Sequence, residues 1–292
     1  MQYRRQFVKE FSEFTPASRA LSGYSEGPMN AEPRDVSDFS RYQRQIMLES
    51  LGLQGQRALA AACALIVGVG GLGSWVAELL ARAGVGRLRL VDDDAVDLTN
   101  IHRQAIYDQR DAQLARPKVL AAADRLLAIN RQVTVEPVTA RVGPGNVQSL
   151  AEGAGVIVDG TDSFAARFLI NDFAVKQGLP WVFAGVVGSE AQTMTIIPGR
   201  TACLRCVMES PPPPCLDPTC RSVGVLGPAV AAVAAFEACE AMKILAGRLD
   251  AVSPHLLKFD LWSNRMQRVE VVGKARPDCP CCGQRQFEYL EP

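Results

Sequence analysis

The stretch Ala64-Leu-Ile-Val-Gly-Val-Gly-Gly-Leu-Gly73 decides the fold of this chain. It begins as a short apolar run ending in glycines, which is the form of a buried parallel strand. Gly68, Gly70 and Gly73 then satisfy the G-x-G-x-x-G pattern between that strand and a helix predicted from Leu72 to Ala83. Glycines let the backbone turn sharply and approach a phosphate, whose charge the helix N-terminus favours. The sequence therefore predicts a nucleotide site at this loop.

Short apolar strands alternate with helices on both sides of the loop, a pattern typical of a parallel α/β sheet. The predicted strands are 64–68, 87–91, 133–138, 155–159, 181–187, 191–197, 255–261 and 266–272, and the predicted helices are 42–51, 56–62, 72–83, 117–129, 164–177 and 229–245. The strand 191–197 alternates polar and apolar residues and is predicted to pair antiparallel, and the strands 255–261 and 266–272 are predicted to form an antiparallel hairpin. We expect a Rossmann-like, mostly parallel sheet flanked by helices, with antiparallel strands at one end.

The chain is expected to contain one α/β domain, residues 38–292, preceded by a flexible N-terminal tail, residues 1–37. The tail has little hydrophobic periodicity and no apolar stretch of the kind that a secretory signal requires. Within the domain, residues 198–227 are rich in Pro, Cys and Gly and are predicted to form a long loop. Residues 273–292 form a cysteine-rich tail.

Composition excludes several classes of protein. Lys plus Arg and Asp plus Glu both number 31, so the net charge is near zero, which argues against binding to nucleic acid. No run of roughly 20 uncharged apolar residues is present, so no membrane span is expected. Four of the nine cysteines form two C-x-x-C pairs, which favours metal binding in a reducing compartment over disulfides. We therefore expect a soluble cytoplasmic protein.

Two cysteine pairs lie more than 70 residues apart, Cys203-Leu-Arg-Cys206 and Cys279-Pro-Cys281-Cys282. The two-residue spacer lets both sulfurs of a pair reach one metal ion. Four thiolates in this arrangement form a closed tetrahedral zinc site, which is structural and not catalytic. Such a split zinc site downstream of a glycine-rich nucleotide loop is a rare combination.

A set of polar residues follows the predicted strands at one edge of the sheet. Asp92 ends the second strand, where an acid typically binds ribose hydroxyls. Asn100, Arg103 and Lys118 lie beyond it, and Asp162 follows a later strand. Cations neutralise phosphate charge and a carboxylate oxygen is a hard ligand for Mg²⁺, so the set indicates ATP with magnesium.

At this point the chain resembles the ubiquitin-activating-like adenylyltransferases of the ThiF/MoeB/HesA family. The matching pieces, in order, are Arg41-Tyr-Gln-Arg-Gln-Ile46, Gly68 to Gly73, Asp92-Asp-Asp94, Asn100-x-x-Arg103-Gln104, Pro117-Lys118, Gly160-Thr-Asp162 and the two cysteine pairs. The resemblance implies ATP-dependent adenylylation of the C-terminal Gly-Gly of a ubiquitin-fold sulfur carrier (ThiS- or MoaD-like). Pyrophosphate leaves, and sulfur later replaces AMP to give a thiocarboxylate used in thiamine or molybdenum-cofactor biosynthesis.

The resemblance also implies roles for individual residues. The nucleotide-binding set would be Gly68, Gly70, Gly71, Gly73, Asp92, Asp94, Asn100, Arg103, Lys118 and Asp162, in which Asp92 holds the ribose and Asp162 the magnesium. Arg44 matches an arginine that reaches the ATP site of a neighbouring subunit, which implies a homodimer. The family spacing places the zinc ligands at Cys203, Cys206, Cys279 and Cys282, with Cys281 as an additional thiol. The glycine usual at position 115 is Ala115 here.

The remaining cysteines have more than one interpretation. Cys220 falls where some family members carry a cysteine that links covalently to the carrier, and Arg221 beside it could lower its pKa. The alternative for Cys220 is an inert loop cysteine, and Cys215 is a weaker candidate. Cys63 and Cys239 are interpreted as small core residues in helices. No rhodanese-like segment follows the zinc pair, so we expect a separate protein to donate persulfide sulfur.

Two other functional classes remain open at this stage. An NAD(P)-dependent oxidoreductase with structural zinc would explain the glycine loop and Asp92, but it leaves Arg44, Arg103, Lys118 and Asp162 without a task. A non-catalytic scaffold that binds the carrier would be marked by loss of this polar set, which is intact. Carrier-dependent release of pyrophosphate distinguishes the first class from both alternatives.

Overall fold

The computed structural model describes residues 36–212, 223–271 and 276–291. The chain divides into two units, Met1–Ser40 and Arg41–Pro292. The described residues of the first unit belong to a 3₁₀ helix, Val36–Tyr42, whose last two residues open the second unit. The second unit carries the α/β fold.

The sheet has eight strands among the described residues, in the order β3-β2-β1-β4-β5-β6-β7-β8. Their bounds are β1 Cys63–Val67, β2 Arg87–Val91, β3 Thr134–Val138, β4 Val156–Asp159, β5 Trp181–Val187, β6 Glu190–Ile196, β7 Leu256–Asp260 and β8 Arg265–Val269. Strands β1 to β5 pair in parallel, whereas β5 to β8 pair antiparallel in sequence. The predicted fold class is confirmed.

Helices cover both faces of the sheet. Their bounds are α1 Gln43–Ile46, α2 Gly52–Ala61, α3 Gly71–Ala83, α4 Gln109–Gln113, α5 Lys118–Ile129, α6 Val147–Leu150, α7 Phe164–Gln177, α8 Leu204–Val207 and α9 Gly227–Leu245. Two buried clusters result, one built mainly around α3, α5 and α9 and the other around α7 and the cysteine pairs. No helix in the described ranges is both long enough and apolar enough to pass through a membrane.

Local sequence explains the main boundaries. All five residues of β1 are buried, as expected for a central strand covered on both faces. Helix α3 ends at Gly84, whose φ of 81° gives the left-handed cap that glycine adopts without steric cost. Helix α7 begins after Ser163, whose side chain accepts a hydrogen bond from the Ala166 N–H. These signals set the two helices that flank the nucleotide edge.

Several sequence predictions are wrong in detail. The helix predicted over 42–51 breaks after Ile46, and the next helix begins already at Gly52. The loop predicted over 198–227 contains helix α8, which includes Cys206 and has Cys203 as its N-cap residue. Cys63 lies in β1 and not in a helix, because the apolar run extends one residue further than its pattern suggested. Cys239 lies in α9 but is exposed, so it is not a core residue.

The topology places a crevice between β1 and β4. The chain moves outward from β1 through β2 to β3, then returns to the other side of β1 with β4. Open α/β sheets bind ligands at such a switch point, outside the carboxyl ends of the strands. The glycine loop after β1 and the Gly160–Asp162 turn after β4 both lie there.

Candidate functional site

The glycine loop after β1 is packed so tightly against its neighbours that side chains are excluded. A Cβ atom added to Gly73 would lie 1.9 Å from the carbonyl oxygen of Gly68, and one added to Gly160 would lie 2.0 Å from it. Gly68 itself has a φ of 83°, in the left-handed region that favours glycine. The loops after β1 and β4 therefore touch, as the predicted phosphate loop requires.

Asp92, at the end of β2, binds the backbone of this loop. Its Oδ2 accepts a hydrogen bond of 2.7 Å from the Val69 N–H, and its Oδ1 accepts one of 2.8 Å from the Asp94 N–H. Burial raises the pKa of Asp92, while the positive charge of Lys118 and the two backbone donors act in the opposite direction. Each carboxylate oxygen retains a lone pair that could accept a hydrogen bond from a ribose hydroxyl.

Lys118 supplies a buried positive charge beside Asp92. Its ammonium lies 2.7 Å from Asp94 Oδ2 and 3.8 Å from Asp92 Oδ1, and its side chain is 7% exposed. The Asp94 carboxylate is 62% exposed and can be displaced at little cost. A phosphate could therefore take its place against the ammonium.

The segment carrying Asn100 and Arg103 is anchored to α3. Trp75 Nε1 donates to the Arg103 carbonyl oxygen at 3.2 Å, and the Ala105 N–H donates to Ser74 Oγ at 3.1 Å. Asn100 Oδ1 accepts from the Asp97 N–H at 3.2 Å. The Arg103 guanidinium donates to the Thr99 carbonyl oxygen of its own segment at 2.7 Å. To contact a nucleotide, both side chains have to exchange these local partners.

Asp162 is an exposed carboxylate beyond β4, and a buried ion pair fixes the turn before it. Asp159 Oδ1 accepts from the Thr161 N–H and hydroxyl at 2.9 and 2.7 Å. Arg167 Nε donates to Asp159 Oδ2 at 3.0 Å, and its Nη2 donates to the Thr161 carbonyl oxygen at 2.8 Å. Sequence reasoning missed Asp159 and Arg167. The available signal was an acid ending a buried strand, with an arginine eight residues later on the next helix.

Of the remaining predicted site residues that the structure describes, Arg44 is not joined to this edge. Arg44 is exposed on α1, and within the described ranges no hydrogen bond or ion pair links it to the predicted nucleotide residues of its own chain. Its predicted target lies in a second subunit. Cys220, with Cys215, lies outside the described residues.

The four predicted zinc ligands come together. Sulfur–sulfur distances are 3.9 Å for Cys203 to Cys206, 3.7 Å for Cys203 to Cys279 and 3.3 Å for Cys206 to Cys282. All four sulfurs lie within 4.8 Å of one another. Tetrahedral zinc with Zn–S bonds of about 2.3 Å requires sulfur–sulfur separations of roughly 3.8 Å, so the arrangement fits the metal.

Helix α7 joins the two arms of this cluster. Asn171 Oδ1 accepts from the Leu204 N–H at 2.8 Å, and its Nδ2 lies 3.3 Å from the sulfur of Cys281. Cys281 is buried but lies outside the group of four sulfurs. The geometry thus favours Cys282 over Cys281 as the fourth ligand.

Comparisons with known proteins give the family. The family model described as "ThiF family" matches residues 42–281. The chain is 39% identical over 250 residues to a sulfur carrier protein ThiS adenylyltransferase of Bacillus subtilis, covering 86% of this chain and 73% of the relative. It is 36% identical over 257 residues to a SAMP-activating enzyme E1 of Haloferax volcanii, covering 88% of this chain and 93% of that protein.

Solved structures agree with the fold. The crystal structure of E. coli MccB with ATP superposes with a TM-score of 0.71 at 22% identity, covering 84% of this chain and 74% of that chain. At that identity the likeness concerns the fold alone.

Proposed function

The chain belongs to the ThiF family, and from that premise we propose that it catalyses ATP-dependent adenylylation of the C-terminal Gly-Gly carboxylate of a ubiquitin-fold sulfur carrier protein. The curated relatives at 36–39% identity support this reaction class, because one activates ThiS and the other SAMP by name.

One observation carries the proposal: three neighbouring strands bring a phosphate loop, a buried cation and an exposed carboxylate to one edge of the sheet. The loop follows β1, Lys118 is paired with carboxylates at the end of β2, and Asp162 follows β4. A hydride-transfer enzyme has no need of a lysine held against the pyrophosphate region. An enzyme that binds a triphosphate needs such a lysine, because the phosphate charge must be neutralised before a carboxylate anion can approach.

The reaction follows from this charge arrangement. A carboxylate oxygen of the carrier attacks the α-phosphorus of ATP, forming a new P–O bond, while the bond from that phosphorus to the bridging oxygen breaks and pyrophosphate leaves. The attacking group is already ionised, so no general base is required, and catalysis consists of positioning and charge neutralisation. We assign phosphate contacts to Asn100, Arg103 and Lys118.

Asp162 fits the role of magnesium ligand. It is exposed, and within the described ranges neither an ion pair nor a hydrogen bond occupies its carboxylate. Hard oxygen donors are the ligands that Mg²⁺ prefers. Magnesium would supply neutralisation of the phosphate charge, and the Asp159–Arg167 pair would hold the turn that presents Asp162.

The four-cysteine cluster is proposed to be a structural zinc site. Zinc would join α8 to the C-terminal tail, where Arg205 contacts Glu288 at 2.6 Å and the Tyr289 N–H donates to Asp172 at 3.2 Å. Because the ligand set is complete with four thiolates, no open position remains for catalysis.

Further parts of the proposal concern partners. We propose a homodimer in which Arg44 enters the partner's nucleotide site, and a cytoplasmic location. Sulfur transfer from a persulfide donor would follow adenylylation, with Cys220 forming the covalent link to the carrier. The product would serve thiamine or molybdenum-cofactor biosynthesis. The two relatives name different carriers, ThiS and SAMP, and the carrier that gains AMP identifies the pathway.

The test is to incubate the protein with ATP, magnesium and purified ubiquitin-fold carriers of the ThiS and MoaD types, then to weigh the products by mass spectrometry. The proposal predicts a gain of one AMP by one carrier and pyrophosphate release that depends on that carrier. A carrier lacking its terminal glycine is the matched control and should gain nothing. Absence of AMP transfer to every carrier, with reduction of NAD by small alcohols instead, would contradict the proposal.

A further inference from the structure

Val69 of the glycine loop is held by side chains of other elements through both of its backbone polar groups, which belong to two consecutive peptides. The Val69 N–H donates to Asp92 Oδ2 at 2.7 Å, and the Val69 carbonyl oxygen accepts a hydrogen bond of 2.8 Å from the hydroxyl of Tyr107. Tyr107 is 5% exposed and lies 38 residues further along the chain. No motif in the sequence assigned it a role.

These two bonds fix which way the loop peptides face. A peptide group is planar and trans, so its carbonyl and N–H point in opposite directions. With the Val69 carbonyl turned toward Tyr107, the N–H of Gly70 points away from Tyr107, and among the described residues it has no acceptor. With the Val69 N–H turned toward Asp92, the Gly68 carbonyl points into the space left by Gly73 and Gly160.

The phenol reaches the loop from a rigid support. Its segment is fixed to α3 through the bonds from Trp75 to the Arg103 carbonyl and from the Ala105 N–H to Ser74, and neither bond involves Tyr107. Removing the hydroxyl therefore leaves the segment anchored. It leaves the Val69 carbonyl, which is buried, without its donor.

We propose that Tyr107 is a positioning residue for nucleotide binding: its hydroxyl holds the Val69 carbonyl so that the glycine loop presents N–H groups, and not a carbonyl oxygen, to the phosphates. This inference rests on the proposed function, because it takes the bound anion to be the triphosphate of ATP. Without the hydroxyl, the Val69–Gly70 peptide can rotate. A rotated loop turns a negative carbonyl end toward the anion, so a fraction of the molecules cannot bind.

The test compares Tyr107→Phe with Tyr289→Phe. Both changes delete one phenolic hydroxyl, and Tyr289 lies in the C-terminal 3₁₀ helix, which packs on α7 and not on the glycine loop. In carrier-dependent ATP–pyrophosphate exchange, Tyr107→Phe should raise the KM for ATP roughly tenfold, which corresponds to about 1.4 kcal/mol. Its kcat should stay within about twofold, because saturating ATP selects the competent loop. Tyr289→Phe should match the wild type in both constants.

A second readout needs no activity. Hydrogen exchange of the peptide covering residues 68–74, measured without nucleotide, should be faster in Tyr107→Phe than in the wild type and Tyr289→Phe. If the wild type is active but Tyr107→Phe shows either no rise in the KM for ATP or no faster hydrogen exchange, the role of Tyr107 is overturned. If the wild type shows no pyrophosphate exchange at all, the proposed function fails. Hydrogen exchange alone then decides whether Tyr107 holds the loop.

Discussion

Replacing Glu237 with glutamine tests how the core of this fold tolerates an unpartnered acid. Glu237 lies in α9 and is 0% exposed, and neither of its carboxyl oxygens has a hydrogen-bond partner in the described structure. Burial raises the pKa of Glu237 well above its ordinary value of 4.5, Asp159 raises it further, and Arg167 partly opposes both. Folded protein therefore keeps this carboxyl protonated at pH values where the unfolded chain releases the proton.

The sign and size of the effect follow from proton linkage. Below pH 4.5 both the folded and the unfolded state hold the proton. In that range Glu237 contributes no pH dependence to the free energy of unfolding. Above it the unfolded state binds fewer protons than the folded state, so the free energy of unfolding falls as pH rises, until pH passes the folded-state pKa. The limiting slope is about 1.4 kcal/mol per pH unit. Glutamine does not titrate, so its free energy of unfolding lacks this fall. Between pH 5 and pH 6, the free energy of unfolding of Glu237→Gln relative to that of the wild type should therefore increase by about 1 kcal/mol.

The assay is urea unfolding followed by circular dichroism at several pH values from 4 to 7. Glu240→Gln is the matched control, because Glu240 is also buried on α9 but accepts hydrogen bonds from Thr195, Ser253 and Lys243. That variant should lose stability, since an amide oxygen accepts these bonds less strongly than a carboxylate. A constant difference between Glu237→Gln and the wild type across this pH range would refute the claim that Glu237 is protonated in the fold.

Three further changes have defined outcomes. Ala115→Gly should raise the free energy of unfolding by roughly 0.5–1 kcal/mol, because Ala115 is exposed and has a φ of 44°, in the left-handed region that favours glycine. Thermal denaturation measures the change, and a loss of stability would contradict the prediction. Lys118→Met should lower kcat/KM for ATP on the order of 10²-fold, because it removes the positive charge. Lys118→Arg keeps the charge and should retain more of the activity. Equal losses of kcat/KM in the two variants would show that the positive charge is not the cause. Cys206→Ala should abolish zinc binding in metal analysis and make the C-terminal tail sensitive to protease. The control Cys239→Ala should change neither. Zinc retained in Cys206→Ala would show that Cys206 is not a ligand.

Much of the fold was predictable because its signals are local. The strands β2 and β5 and the helix α7 have the bounds that the apolar runs and the flanking glycines predict. The grouping of the four cysteines was predictable from spacing, since two sulfurs three residues apart reach one point in almost any short turn, whereas the choice of Cys282 over Cys281 came from the family resemblance. Helix α8 was missed because four residues between prolines and cysteines carry no helical period.

The side-chain contacts of the nucleotide edge were not predictable. The bond from Tyr107 to Val69 depends on how a segment 38 residues away docks on α3, which no local pattern encodes. The same holds for the guanidinium of Arg103, whose partner here is the Thr99 carbonyl oxygen. The buried Glu237 could not be recognised either, because glutamate is common on exposed helix faces and its burial follows from the packing of α9 on the sheet.

The central claim is that the carboxyl edge of β1, β2 and β4 holds ATP with its metal on Asp162. Its most direct test is ATP–pyrophosphate exchange by Asp162→Ala in the presence of carrier and magnesium, alongside zinc analysis of the same preparation. We predict exchange in the wild type, none in the variant, and equal zinc content in both. Exchange at the wild-type rate in Asp162→Ala would contradict the account.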